Sequence, residues 1–128
     1  MEGTGRLDWG LHEECGVFGI SDSEGGCAQT TYYGLYALQH RGQEACGIAA
    51  INCREQSFYK DAGLVSEVFD EEILRRLNGT MAVGHVRYAT TGAGGRENAQ
   101  PLTIKYAKGT LAVVHNGNLL DVEKLRRD

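Results

Sequence analysis

The run Cys15-Gly-Val-Phe-Gly-Ile20 (CGVFGI) is short and apolar, and Ser21 to Gly26 behind it are turn residues; this predicts a buried β-strand opened by a cysteine. Moving outward, Gln29 to His40 (QTTYYGLYALQH) spaces Tyr32, Leu35, Tyr36 and Leu38 as a helix packed on a sheet would, with Arg41 and Gly42 as its C-terminal signal. Ala45 to Asn52 and Ser57 to Lys60 read as a hairpin whose first strand is apolar on both faces. Leu64 to Leu77 reads as helix, with Asp70 as an N-cap before EEILRRL. Met81 to Tyr88 is strand-like, Thr90 to Gln100 is a polar glycine-rich loop, and Leu102 to Tyr106 with Thr110 to His115 form a second hairpin. Leu119 to Arg127 starts another helix, and the sequence stops at Asp128 without a closing signal, as if cut within a domain. Strands joined as hairpins, with helices in blocks between them, predict an α+β fold in which helices cover a largely antiparallel sheet.

Composition narrows the function classes. The chain has 128 residues, enough for one domain with a core and too few for two. A net charge of -4, spread without any basic run, argues against nucleic acid as a partner. Met1 to Glu14 holds Arg6, Asp8, His12, Glu13 and Glu14, so it is no secretory signal. No stretch has the roughly 20 apolar residues of a membrane span, which leaves the cytoplasm as the expected location. Cysteines 15, 27, 46 and 53 form no CxxC pair and read as thiols, and the histidines at 12, 40, 85 and 115 are scattered singly, so no metal site is expected in this chain. Glycine is over-represented, 18 residues against a single proline, and its clusters beside polar residues suggest backbone approached closely by another group.

Three places could carry chemistry. Cys15, taken by itself, is more often a small core residue than a nucleophile. Arg87 to Asn98 (RYATTGAGGREN) offers a cation, hydroxyls and flexible backbone, suited either to gripping a carboxylate or to a solvated connection. His115-Asn116-Gly117-Asn118 follows a strand directly, where an Asn side chain and a Gly N–H could face an oxyanion, or could form an ordinary Asn-Gly turn. Gly92, Gly94 and Gly95 lack the strand-to-helix setting of a phosphate loop, so nucleotide binding by this chain is rejected.

Together the segments ECGVFGI (Glu14 to Ile20), LQHRGQEACGI (Leu38 to Ile48), GHVRYATTG (Gly84 to Gly92) and VHNGNL (Val114 to Leu119) resemble the glutaminase domain of class II glutamine amidotransferases, a group of N-terminal-nucleophile hydrolases. The resemblance implies an α+β four-layer αββα sandwich of antiparallel sheets, incomplete in this chain. It divides the sequence into a propeptide, 1–14, removed on maturation, and residues 15–128 as the N-terminal part of the domain. Cys15 is then the nucleophile, and its freed α-amine is the base. Such an amine has a pKa of roughly 7.7 to 8, against roughly 8.5 for a thiol, so the proton can pass between them near neutral pH. While Glu14 remains attached that nitrogen is an amide, and no base exists.

By the same resemblance Asn116 and Gly117 form the oxyanion hole, and Arg87 pairs with the α-carboxylate of glutamine. Thr90 and Thr91 belong to the same pocket, the loop to Asn98 corresponds to the family's mobile glutamine loop, and Arg41 either supports the nucleophile from behind or makes a structural salt bridge. LQHRGQE and HVRYATTG are most similar to the branch whose acceptor is phosphoribosyl pyrophosphate. A phosphoribosyltransferase domain with Mg2+, a 4Fe-4S cluster found in some members, and a further residue for the substrate's α-amino group would all lie beyond Asp128. No cofactor is expected within this chain, and the whole enzyme is expected to be a homo-oligomer. Alternatives are the glutaminase half of another amidotransferase, such as the type that makes glucosamine 6-phosphate, and a fragment without activity of its own.

Overall fold

The computed structural model describes residues 15–41, 44–53, 55–88, 96–116 and 122–127. The expected propeptide, Thr90, Thr91, Gly117 and the side chain of Arg41 lie outside the described residues. Six strands are placed: β1 (Gly16–Ser21), β2 (Ala45–Ile51), β3 (Gln56–Ala62), β4 (Met81–Arg87), β5 (Leu102–Tyr106) and β6 (Gly109–Val113). The helices are α1 (Cys27–Ala37), α2 (Val65–Val68), α3 (Glu71–Arg76) and α4 (Val122–Arg127).

β1 to β4 form one sheet in the order β1-β4-β2-β3, antiparallel throughout, and β5 pairs with β6 in a separate hairpin. The sequence ACGIAAI makes β2 the centre of this arrangement. Ala45 to Ala50 are all buried, as an apolar strand covered on both faces requires. Register places Phe18, Gly84 and Ile48 side by side on one face, and Val17, His85 and Gly47 on the other, because side chains alternate along each strand.

The first face carries the core. Cys46, Ile48, Ala50, Ala82 and Val86 pack against Cys27, Ala28 and Leu35 of α1, and against Val65, Val68, Phe69, Leu74 and Leu77 of the α2–α3 region. Close approach of helix and sheet depends on glycine in both partners. A Cβ on Gly84 would lie 2.6 Å from the Thr31 side chain, and one on Gly34 would lie 2.4 Å from the Phe18 ring. Thr31, fully buried, is satisfied by donating its hydroxyl to the Cys27 carbonyl at 2.7 Å.

The second face is covered by the chain after residue 96. Ala99 and Pro101 are buried, and Lys60 Nζ donates to the Pro101 carbonyl at 3.0 Å. Ala112 of the β5–β6 hairpin lines a cavity together with Gly19, Ala49 and Val83 of the four-stranded sheet. Among the described residues the order is therefore helices, sheet, second sheet. Leu102, Ile104, Leu111 and Val113 share one face of that hairpin and stay exposed.

Two expected elements differ in extent. The helix expected over Gln29 to His40 runs from Cys27 to Ala37, starting after Gly26 in the left-handed region (φ 71). It closes when Leu38 N–H bonds to both Gly34 and Leu35 carbonyls, after which Gln39–Arg41 forms a single 3-10 turn. The helix expected over Leu64 to Leu77 is two helices, because Phe69 and Asp70 are extended. Burying Phe69 edge-on between the rings of Tyr32 and Tyr59 turns the chain. Asp70 then restarts it, its Oδ1 accepting from Ile73 N–H at 2.8 Å, as an N-cap should.

Gly34→Ala tests the helix–sheet contact. Helix propensity alone would stabilise by about 1 kcal/mol, whereas overpacking against Phe18 costs about 1–3 kcal/mol. A lowered urea midpoint of the full-length protein is expected; a raised one would show that the Phe18 ring swings aside at little cost.

Candidate active site

Cys15 sits one residue before β1 and is half-buried. Its setting contrasts with that of the other buried cysteines. Cys27 lies in the core, and burial, helped by Asp61 and Glu67, pushes the Cys46 thiol up to about 12, which keeps it protonated and inert. Asn116 comes from the far end of the described chain, beyond β6. Its Nδ2 donates to the Cys15 carbonyl at 3.1 Å, so residues 101 apart in sequence meet. An amide nitrogen carries two N–H groups, so one can hold the Cys15 backbone while the other faces a reacting atom.

Arg87 ends β4, whose register sets it opposite Ala45 of β2. Its Nη1 donates to the Asn98 carbonyl at 2.9 Å, and its Nε lies 3.9 Å from Glu44 Oε2, an ion pair too long for a hydrogen bond. Glu44 N–H bonds in turn to the Arg87 carbonyl at 2.9 Å. Among the described residues the guanidinium is thus aimed by two contacts that leave its fork only partly used, and a planar fork suits a carboxylate. The structure brings Cys15 and Asn116 together and places Arg87 at the adjoining strand end. Arg41 lies in the turn after α1, with its side chain outside the described residues, as are Thr90, Thr91 and Gly117.

Three further residues join this group without having been singled out in the sequence. His85 is fully buried, and its Nε2 lies 3.1 Å from the His115 carbonyl. Gln100 Oε1 accepts from His115 N–H at 2.7 Å, and Glu44 faces Arg87. For His85 a signal existed: strands alternate, so His85 and Arg87 share a face. For Gln100 none did, because only tertiary packing brings it to His115.

The family model for class-II glutamine amidotransferases matches residues 38–127. The chain belongs to the class-II glutamine amidotransferases. It is 54% identical over 114 residues to an amidophosphoribosyltransferase of Synechocystis sp., covering 89% of this chain and 23% of that protein. It is 50% identical over 119 residues to the enzyme of that name from Bacillus subtilis, covering 92% of this chain and 25% of that protein. The chain thus spans about a quarter of the length of the relatives it matches. A solved structure described as the allosteric regulatory enzyme of purine biosynthesis superposes with a TM-score of 0.80 at 48% identity, covering 87% of this chain and 24% of that one. The Bacillus subtilis glutamine phosphoribosylpyrophosphate amidotransferase, complexed with ADP and GMP, gives a TM-score of 0.70 at 42% identity, covering 88% of this chain and 23% of that one. These likenesses bear out the α+β, N-terminal-nucleophile type of fold expected from the sequence motifs.

Burial lowers the His85 pKa from 6.5 to about 4, with the Arg87 and His115 charges adding to the shift and the His115 carbonyl opposing it. The unfolded chain therefore binds this proton first. The contribution of neutral His85 to stability is whole above pH 6.5 and lost as pH falls to about 4, roughly 3 kcal/mol across that window. Urea midpoints of the full-length protein between pH 7 and pH 4 should fall more steeply for the parent than for His85→Leu. Parallel slopes would place the His85 proton equilibrium outside the folding balance.

Proposed function

We propose that this chain is the glutamine-hydrolysing front part of an amidophosphoribosyltransferase, which makes 5-phosphoribosylamine from phosphoribosyl pyrophosphate and the ammonia of glutamine. The observation that carries the reading is the meeting of Cys15 with Asn116, the Nδ2–O distance being 3.1 Å. The names of its relatives support the choice of acceptor.

Removal of Met1 to Glu14 gives Cys15 a free α-amine. That amine takes the thiol proton, and Sγ attacks the side-chain amide carbon of glutamine. The carbonyl becomes an oxyanion, met by the second N–H of Asn116 and by the N–H of Gly117. The α-ammonium returns its proton to the departing nitrogen, the C–N bond breaks, and ammonia leaves a thioester on Cys15. Water then adds, the thiolate leaves, and glutamate is released. Arg87 holds the substrate's α-carboxylate, with Thr90 and Thr91 in the same pocket and Arg41 behind the nucleophile.

Among the described residues no group of three or more His, Cys, Asp or Glu is placed to hold a metal ion, and no step above runs through one. Mg2+ at the diphosphate and a 4Fe-4S cluster are assigned to parts of such an enzyme outside these residues. No helix among the described residues is long and apolar enough to cross a membrane; a cytoplasmic location and assembly into a homo-oligomer belong to the same proposal.

Intact mass of the full-length protein, beside Cys15→Ala, with a glutamine analogue reactive at its amide position, tests the nucleophile and its activation together. Loss of the Met1 to Glu14 mass and a single adduct, both dependent on Cys15, are expected; an intact leader without adduct would remove the chemistry from this fold. Arg87→Lys should raise the glutamine KM by roughly 10- to 100-fold with a smaller change in kcat, since an ammonium cannot reproduce the two-pronged grip. Unchanged KM would take the carboxylate away from Arg87.

A further inference from the structure

The glutaminase reading makes Asn116 an oxyanion donor, and the question becomes what holds Asn116 in place. The residue before it is gripped on both sides of its backbone. Gln100 Oε1 accepts from His115 N–H at 2.7 Å, and His85 Nε2 lies 3.1 Å from the His115 carbonyl. A carbonyl oxygen only accepts, so Nε2 must carry the hydrogen and donate it. The supports of this grip are themselves fixed. His85 is fully buried within β4, between Val17 of β1 and Gly47 of β2 in the register. The Gln100 backbone rests on Gly47, where an added Cβ would come within 2.1 Å of the Gln100 carbonyl oxygen.

A second observation sets His85 apart from an ordinary core residue. With Nε2 as the donor, Nδ1 is left as a buried acceptor, and among the described residues it has no hydrogen-bond partner. An orphaned buried polar atom is costly, and an apolar side chain of similar volume would avoid it. Stability alone does not account for a histidine at this position; its donor to His115 does.

We infer that His85 is a positioning residue for the amide-cleaving step: with Gln100 it clamps the His115 backbone and so fixes Asn116 beside Cys15. This inference rests on the glutaminase reading. It predicts that loss of the clamp slows turnover without weakening the grip on glutamine, because Arg87 is held separately by Asn98 and Glu44.

The test is steady-state glutamine hydrolysis by the full-length protein. For His85→Leu, kcat is expected to fall roughly 10- to 100-fold while KM stays within about threefold and the melting temperature is unchanged or higher. His85→Gln, which restores an N–H donor, should recover part of kcat. Gln100→Leu, at a half-buried position less critical for folding, should lower kcat in the same direction with KM held, and reads the clamp even if His85→Leu fails to fold. Unchanged kcat in Gln100→Leu, or in a folded His85→Leu, or a KM that rises in step with the loss of kcat, would overturn the positioning role. A parent protein that does not hydrolyse glutamine would instead overturn the functional reading on which this one rests.

Discussion

The second layer of the molecule rests on one contact, the backbone of Gln100 lying directly on Gly47. A Cβ at Gly47 would come within 2.1 Å of the Gln100 oxygen, so no other residue type fits without moving the segment away. Around that contact Ala99 and Pro101 are buried, and Lys60 holds the Pro101 carbonyl. From the same segment the Gln100 side chain reaches His115 N–H, and the next residue, Asn116, reaches Cys15. The site is assembled because the loop closing over the sheet is seated on a glycine in its central strand.

The two faces of the sheet divide the work. On the helix side, small residues permit close packing: Gly84 receives Thr31 and Leu35, and Gly34 receives Phe18. On the other side the same strands carry His85 and Arg87, polar groups that need partners once covered. They find them in His115, Asn98 and Glu44, all contributed from outside their own strand. Strand β4 thus joins core to chemistry through its alternation alone, with Ala82, Gly84 and Val86 towards the helices and Val83, His85 and Arg87 towards the site.

The strands were legible because their patterns are local. CGVFGI, ACGIAAI and MAVGHVR read as strands from apolar content and bounding turn residues, and β1, β2 and β4 follow within a residue or two. Asp70 was legible as a cap for the same reason. The break before it was not, because Phe69 leaves the helix to fill a gap between Tyr32 and Tyr59, residues distant in sequence. Likewise the HNGN segment, ambiguous as a turn by itself, gained meaning only when Asn116 proved to contact Cys15.

The sequence by itself determined the alternation that sets His85 and Arg87 on one face, the motifs that mark the family, and the cysteine at the mouth of β1. These follow from short-range periodicity and residue chemistry, which need no partner to be read. Tertiary structure alone decided that Cys15 is half-open while Cys27 and Cys46 are sealed in the core, and which loop glutamine holds His115. It also decided that a carboxylate, Glu44, stands beside Arg87. Each of these depends on burial or on contact between segments far apart in the chain, and such proximity exists only once the sheet has formed and been covered.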